Sequence, residues 1–246
     1  MVGNGLHRIA IVLALNVGVL VVLALYVVRM SSSAPAVWER QIRRFQKADR
    51  QSFPRAGGIV FTGSSTIRLW GSLQKDIALG PVLNRGFGGA QIHQVTHFSG
   101  RILVPYQPTV IVFYAGENDI AGVMFSKRKT ADEVRDAYRT FCQKIHSQLP
   151  EVSIYFISIK PPRARLKSWP EMQRANTLIR ELCTRDRRLH YVDVVPAMLD
   201  AEGKPRRDVF RWDGIHLNDK GYALWASIVK PILEQRGTEL KQSCNS

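Results

Sequence analysis

The sequence predicts an α/β protein: a three-layer α/β/α sandwich around a five-stranded parallel sheet, preceded by one N-terminal transmembrane helix. Three observations carry this reading. Five short runs are predominantly apolar, amphipathic helical periodicities lie between them, and the chain opens with a long uncharged run. Strands covered on both faces read as continuous apolar runs, and helices alternating with them imply a parallel sheet. At 246 residues, 45% apolar and 22% charged, the chain can fill one sizeable core.

The uncharged run spans Ile9 to Val28 and is rich in Val, Leu, Ile and Ala. Twenty residues at helical rise cross about 30 Å, the thickness of a hydrocarbon core. A cleaved signal segment is the alternative, since Ala34-Pro35-Ala36 has the small residues of a cleavage site. The run is longer than a usual signal core, and Arg29-Met30-Ser31 separates it from that site, so an uncleaved anchor over residues 1–30 is preferred. The flanking cations, counted strictly, place the rest of the chain in the cytoplasm. Most of them fall in a predicted helix, however, so the count does not set the orientation.

A Ser/Ala/Pro linker, residues 31–36, leads into a domain expected over residues 37–236. Its first stretch is amphipathic, with Trp38, Ile42 and Phe45 on one face and Arg40, Arg43, Arg44 and Lys47 on the others. Such a helix can lie on lipid headgroups or pack its apolar face on the domain. Strands are then expected at Gly58–Phe61, Pro81–Asn84, Thr109–Tyr114, Val152–Ile157 and Tyr191–Val194. Between them, Val134, Ala137, Tyr138, Phe141 and Ile145 mark one helix, and Met172, Ala175, Ile179 and Leu182 another. A last helix follows Asn218-Asp219 with Tyr222, Trp225, Ile228 and Val229 inward, and residues 237–246 read as a polar tail.

The net charge is +15, of which Arg8 and Arg29 account for 2. A balance this basic invites a nucleic-acid partner. No helix-turn-helix, zinc-finger or RNP pattern accompanies it, so none is expected, and anionic lipid or an anionic substrate fits a tethered basic domain better. Cys142, Cys183 and Cys244 show neither disulfide-framework nor zinc spacing, and the first two read as small apolar fillers.

In an open parallel sheet, chemistry collects beyond the C-terminal strand ends. After the first strand comes Gly63-Ser64-Ser65-Thr66, in which Ser65 is either a nucleophile with an unpaired N–H or part of an ordinary helix cap. After the second comes Gly86-Phe87-Gly88-Gly89-Ala90, which lets backbone approach a ligand but fails the dinucleotide pattern because position 91 is Gln. After the third, Gly116-Glu117-Asn118-Asp119 offers the Asn118 amide as a donor, or simply a turn. Glu117 and Asp119 read as structural neighbours. The loop Lys160-Pro161-Pro162-Arg163-Ala164-Arg165-Leu166-Lys167 follows the fourth strand, its cations meeting an anionic substrate or merely solvated. Late in the chain, Asp213-Gly214-Ile215-His216 can bring a carboxylate to an imidazole and leave its other nitrogen as a base. His93 and His97 have i, i+4 spacing, but no Glu or third ligand joins them, so no metal is expected.

These four blocks, in this order, resemble the SGNH hydrolase superfamily, the GDSL-type esterases and lipases, from about Ile59 to Leu233. The resemblance implies a flavodoxin-like sheet, Ser65 as nucleophile, Asp213 and His216 completing a triad, and an oxyanion hole from Ser65, Gly89 and Asn118. It implies hydrolysis of a small-molecule, lipid or glycan ester without a cofactor or metal. Ser64 stands where the family usually has Asp, which leaves the triad intact but does not carry over a substrate preference. An α/β-hydrolase shares the order Ser, Asp, His, but there is no G-x-S-x-G elbow and Asp and His here share one loop. The remaining alternatives are a polysaccharide deacetylase using the same site and a non-catalytic tethered binding domain.

Overall fold

The computed structural model describes residues 16–21, 34–122 and 126–243. The apolar runs become β1 (Ile59–Gly63), β2 (Val82–Gly86), β3 (Val110–Tyr114), β4 (Ser153–Ile157) and β5 (Leu189–Val192). All pair in parallel, in the order β2-β1-β3-β4-β5. The helices are α1 (Glu39–Gln51), α2 (Ser65–Arg68), α3 (Leu73–Ile77), α4 (Ile92–Ile102), α5 (Glu117–Ala121), α6 (Ala131–His146), α7 (Trp169–Cys183) and α8 (Asp219–Ser243).

Alternation along each strand assigns the layers. Val60, Ile111, Phe113, Ile154 and Phe156 face a core closed by α1, α4, α6 and α7, through residues such as Ile42, Phe98, Phe141 and Ile179. Phe61, Val112, Tyr114, Tyr155 and Ile157 face the opposite core, closed by Ile67, Trp70, Leu73, Tyr222, Trp225 and Val229. The sandwich and its five parallel strands are therefore as the sequence predicts. Cys142 and Cys183 are buried, and burial pushes both thiols up, that of Cys183 to about 12.

Several boundaries differ from expectation, β1 running on to Gly63 past Phe61. β5 lies two residues earlier than Tyr191–Val194, because Asp193 turns back to accept from Val195 N at 3.1 Å and ends the ladder. β2 runs on to Gly86 through Arg85, whose charge is neutralised by Asp49 of α1 and whose Nε donates to Tyr106 Oη at 2.8 Å. The last helix extends to Ser243, into the stretch read as a polar tail.

The apolar side of the basic α1 is packed on the domain. Ile42 is fully buried, Trp38 and Phe45 lie against the core, and Arg101 of α4 clasps Glu39 at 2.7 Å. Arg40, Arg43, Arg44 and Lys47 stay exposed on the outer side. Residues 16–21 are helical, and the rest of the expected anchor lies outside the described residues. Among the described residues no helix is long and apolar enough to cross a membrane.

The chain leaves β1 for β2 on one side and returns to β3 on the other, which puts a topological switch point beyond the C-terminal ends of β1 and β3. The loops carrying Ser65 and Asn118 open there.

Candidate active site

β1 ends at Gly63, with φ +129°, where a Cβ would fall 1.9 Å from the carbonyl oxygen of Tyr114 in β3. Only glycine lets the strands stay in contact while the chain turns into α2. Ser64 N donates to that same carbonyl at 2.9 Å, and Ser65 becomes the first residue of the helix. Ser64 makes no side-chain capping bond, so capping does not account for the serine pair. The base of α2 is tied to α8 by Tyr222 Oη, which donates to Thr66 O at 2.9 Å, and by stacking of Trp70 on Tyr222.

The loop before α8 is a tight reversal. Phe210 and Leu217 bridge in antiparallel fashion, and Arg211 N donates to His216 O at 2.8 Å. Inside it, Asp213 Oδ1 accepts from Ile215 N at 2.8 Å and His216 N at 2.9 Å. Asp213 Oδ2 lies 2.6 Å from His216 Nδ1, and His216 Nε2 lies 3.0 Å from Ser65 Oγ across 151 residues of chain. Partial burial pushes the Asp213 carboxyl up, but these hydrogen bonds outweigh it and hold the carboxyl below its ordinary range. Because Oδ1 is committed to two backbone donors, Oδ2 receives the imidazole Nδ1–H, which leaves Nε2 as an acceptor facing the serine hydroxyl.

Gly89 and Asn118 come together from separate loops. Gly89 has φ +68°, and the Trp38 ring lies 3.4 Å from where its Cβ would stand. Asn118 Nδ2 donates to Ala90 O at 3.2 Å, and Gln91 Nε2 donates to Asn118 O at 3.3 Å. Ile92 N donates to Asp119 at 3.2 Å, and Lys129 pairs with the same carboxylate at 2.7 Å. Glu117 and Asp119 are structural, as expected: Asp119 joins two loops, and Glu117 pairs with Lys160. Among the described residues the N–H groups of Ser65 and Gly89 have no partner. The structure thereby joins Ser65, His216 and Asp213 in one relay and ties Asn118 to the loop of Gly89 and Ala90. His93 stands beside Lys129 Nζ, 3.3 Å from Nδ1. Among the described residues, no group of three or more His, Cys, Asp or Glu side chains is placed to hold a metal ion.

Two residues of this edge were read from the sequence only as cations of a basic loop. Lys160, fully buried at the end of β4, pairs with Glu117 and donates to Tyr114 Oη at 3.1 Å. Arg165 reaches from the following 3-10 turn to Glu117 Oε1 at 3.1 Å and Asn118 Oδ1 at 3.0 Å. Burial alone would push the Glu117 carboxyl up, yet Lys160 and Arg165 together hold it down. Burial pushes the Lys160 ammonium down, and Glu117 opposes this. Neither an anionic substrate nor bulk solvent, the two fates expected for that loop's cations, describes these two. The available signal was a Lys closing an otherwise apolar run, directly before Pro161-Pro162 at the C-terminal sheet edge.

No curated protein matches the chain. Among solved structures, a GDSL-like lipase from Bacteroides thetaiotaomicron is similar, with 16% identity, TM-score 0.69, and 79% of this chain and 98% of that one covered. A carbohydrate esterase family 3 protein from Talaromyces cellulolyticus gives 18%, 0.60, 74% and 99% respectively. An acetyl xylan esterase gives 20%, 0.59, 69% and 96%. These identities speak for the fold. The model of the GDSL-like Lipase/Acylhydrolase family matches residues 60–224, about two thirds of the chain, including every site residue named above. The chain belongs to the GDSL-like lipase/acylhydrolase family and is an ester hydrolase.

Proposed function

We propose that the protein cleaves a carboxylic ester by nucleophilic catalysis at Ser65, with His216 as general base and Asp213 orienting it. The observation that carries this is the continuous relay from Asp213 Oδ2 through His216 to Ser65 Oγ, at 2.6 and 3.0 Å. As Ser65 Oγ attacks the ester carbonyl, its proton passes to His216 Nε2, and the tetrahedral oxygen becomes anionic. The unpaired N–H groups of Ser65 and Gly89 and the Asn118 amide are the donors for that oxyanion. Removing one such donor typically costs about 3–4 kcal/mol of transition-state stabilisation. His216 returns the proton to the departing alcohol. It then takes one from water, whose attack releases the acid and regenerates Ser65.

The test is labelling of the full chain by a fluorophosphonate probe, with hydrolysis of a short-chain nitrophenyl ester, and Ser65→Ala as control. Wild type that neither labels nor turns over, or a Ser65→Ala variant that does, refutes the assignment.

A second reading keeps the site and makes the substrate an acetylated envelope polysaccharide. Two features support it: carbohydrate-directed esterases share the fold, and Trp38 walls the site beside Gly89. Acetate release from an acetylated glycan, exceeding turnover of a long-chain nitrophenyl ester, is the expected result. The anchor over residues 9–28 belongs to the same proposal, and its check is retention in the membrane fraction after carbonate extraction.

A further inference from the structure

Among the described residues Arg165 makes no hydrogen bond or ion pair with the Ser65–His216–Asp213 relay, but it bonds the side chain of a proposed oxyanion donor. We propose that Arg165, braced by Glu117 and Lys160, is a positioning residue that sets the Asn118 carboxamide for catalysis. This rests on the reading of Asn118 as an oxyanion donor.

A carboxamide carries two N–H donors on nitrogen and two acceptor sites on oxygen. Here Nδ2 gives one hydrogen to Ala90 O at 3.2 Å, while Oδ1 accepts from Arg165 Nη1 at 3.0 Å. Flipping the amide would set its oxygen against the Ala90 carbonyl and its NH2 against the guanidinium, two repulsive contacts in place of two hydrogen bonds. The orientation is therefore single, and one N–H remains with no partner among the described residues. A charged donor on the amide oxygen also draws electron density from nitrogen, which strengthens the remaining N–H as a donor.

The brace is built to hold Arg165 still. The same Nη1 lies 3.1 Å from Glu117 Oε1, and the other carboxylate oxygen is held by Lys160 and by Tyr114 Oη at 3.0 Å. The Lys160 side chain is 0% exposed, Glu117 4% and Arg165 23%, so this is not a solvated surface pair. Desolvating charges is costly, and the guanidinium so held lies beside the amide proposed to meet the developing negative charge. The next residue back, Ala164, donates its N–H to Gly214 O at 3.2 Å, so one loop steadies both the amide and the turn that carries His216.

The experiment measures kcat and KM of the full chain on a short-chain nitrophenyl ester, normalised by active-site titration. The variants are Arg165→Met, Arg165→Lys, Asn118→Ala, the double variant Arg165→Met with Asn118→Ala, and Ser65→Ala. Arg165→Met is expected to lower kcat by about 10- to 100-fold, short of the ~10²–10³ for deleting a donor outright, with KM nearly unchanged. Arg165→Lys should recover part of the loss, since a point charge reaches one partner but not both. In the Asn118→Ala background, Arg165→Met should change kcat by less than about threefold, because residues acting as one unit are not additive. An unchanged kcat, a loss confined to KM, or full multiplication of the two losses overturns the positioning role. Activity surviving in Ser65→Ala instead overturns the underlying site reading.

Discussion

Replacing Asp213 with Asn separates the geometry of the relay from its charge. Asp213 Oδ1 accepts two backbone N–H bonds, from Ile215 at 2.8 Å and His216 at 2.9 Å, whereas Oδ2 meets only the imidazole Nδ1. An Asn there must keep its oxygen toward the two backbone donors, because its NH2 would repel them. The NH2 then faces Nδ1 and forces that nitrogen to accept, so the ring proton moves to Nε2 and points at Ser65 Oγ. The base is switched off while the turn is preserved. In a serine protease the corresponding change costs about 10⁴ in kcat, and a loss of about 10³–10⁴ is expected here, about 4–5.5 kcal/mol of barrier. Initial rates on a short-chain nitrophenyl ester across pH 6–9, with urea melts in parallel, make the measurement. Midpoints should stay close to wild type, since both turn-closing bonds survive. A variant that is fully folded and keeps more than about a tenth of wild-type kcat would show that His216 does not depend on Asp213 for its tautomer.

Other outcomes follow from particular contacts. Gly63→Ala should abolish soluble, folded protein, since φ is +129° and the new Cβ would lie 1.9 Å from Tyr114 O; a normal thermal melt would contradict this. Arg85→Met removes the cation from the largely buried Asp49 carboxylate, leaving it the Tyr106 hydroxyl at 2.6 Å, and should cost about 3 kcal/mol by urea unfolding, while adding Asp49→Leu should recover part of it. Arg101 and Arg43 hold the Glu39 carboxyl down to about 2. A depressed carboxyl stabilises above its unfolded value of 4.5, and that stabilisation is lost as pH falls toward about 2. Because the pair is about a third exposed, the loss in wild type should stay below about 1 kcal/mol between pH 5 and pH 3, and Glu39→Gln should flatten it.

The strands were legible because burial on both faces demands continuous apolar runs, and the site blocks because each is local. Gly63-Ser64-Ser65 and Asp213-Gly214-Ile215-His216 can be read from a few residues. β5 was not placed correctly, since its limits are set by pairing Leu189 with Ile154 of β4 and by the Asp193 turn, neither of which lies in its own periodicity. The two readings of α1, on lipid or on the domain, could not be separated by amphipathicity. The contacts of Ile42, Trp38 and Glu39 with the domain account for its apolar face.

By itself the sequence determined the sheet and the loops that carry Ser65, His216 and Asp213, the proposed nucleophile, base and orienting carboxylate. Tertiary structure alone decided how these groups are held. Lys160 and Arg165 lie 43 and 48 residues from Glu117, and beyond the position of Lys160 before Pro161-Pro162 the loop does not show that two of its cations clamp a carboxylate next to Asn118. A charge tolerates burial only when its partner is in place, and the partner is supplied by the short helix that follows the neighbouring strand β3, through a strand pairing that no single segment encodes.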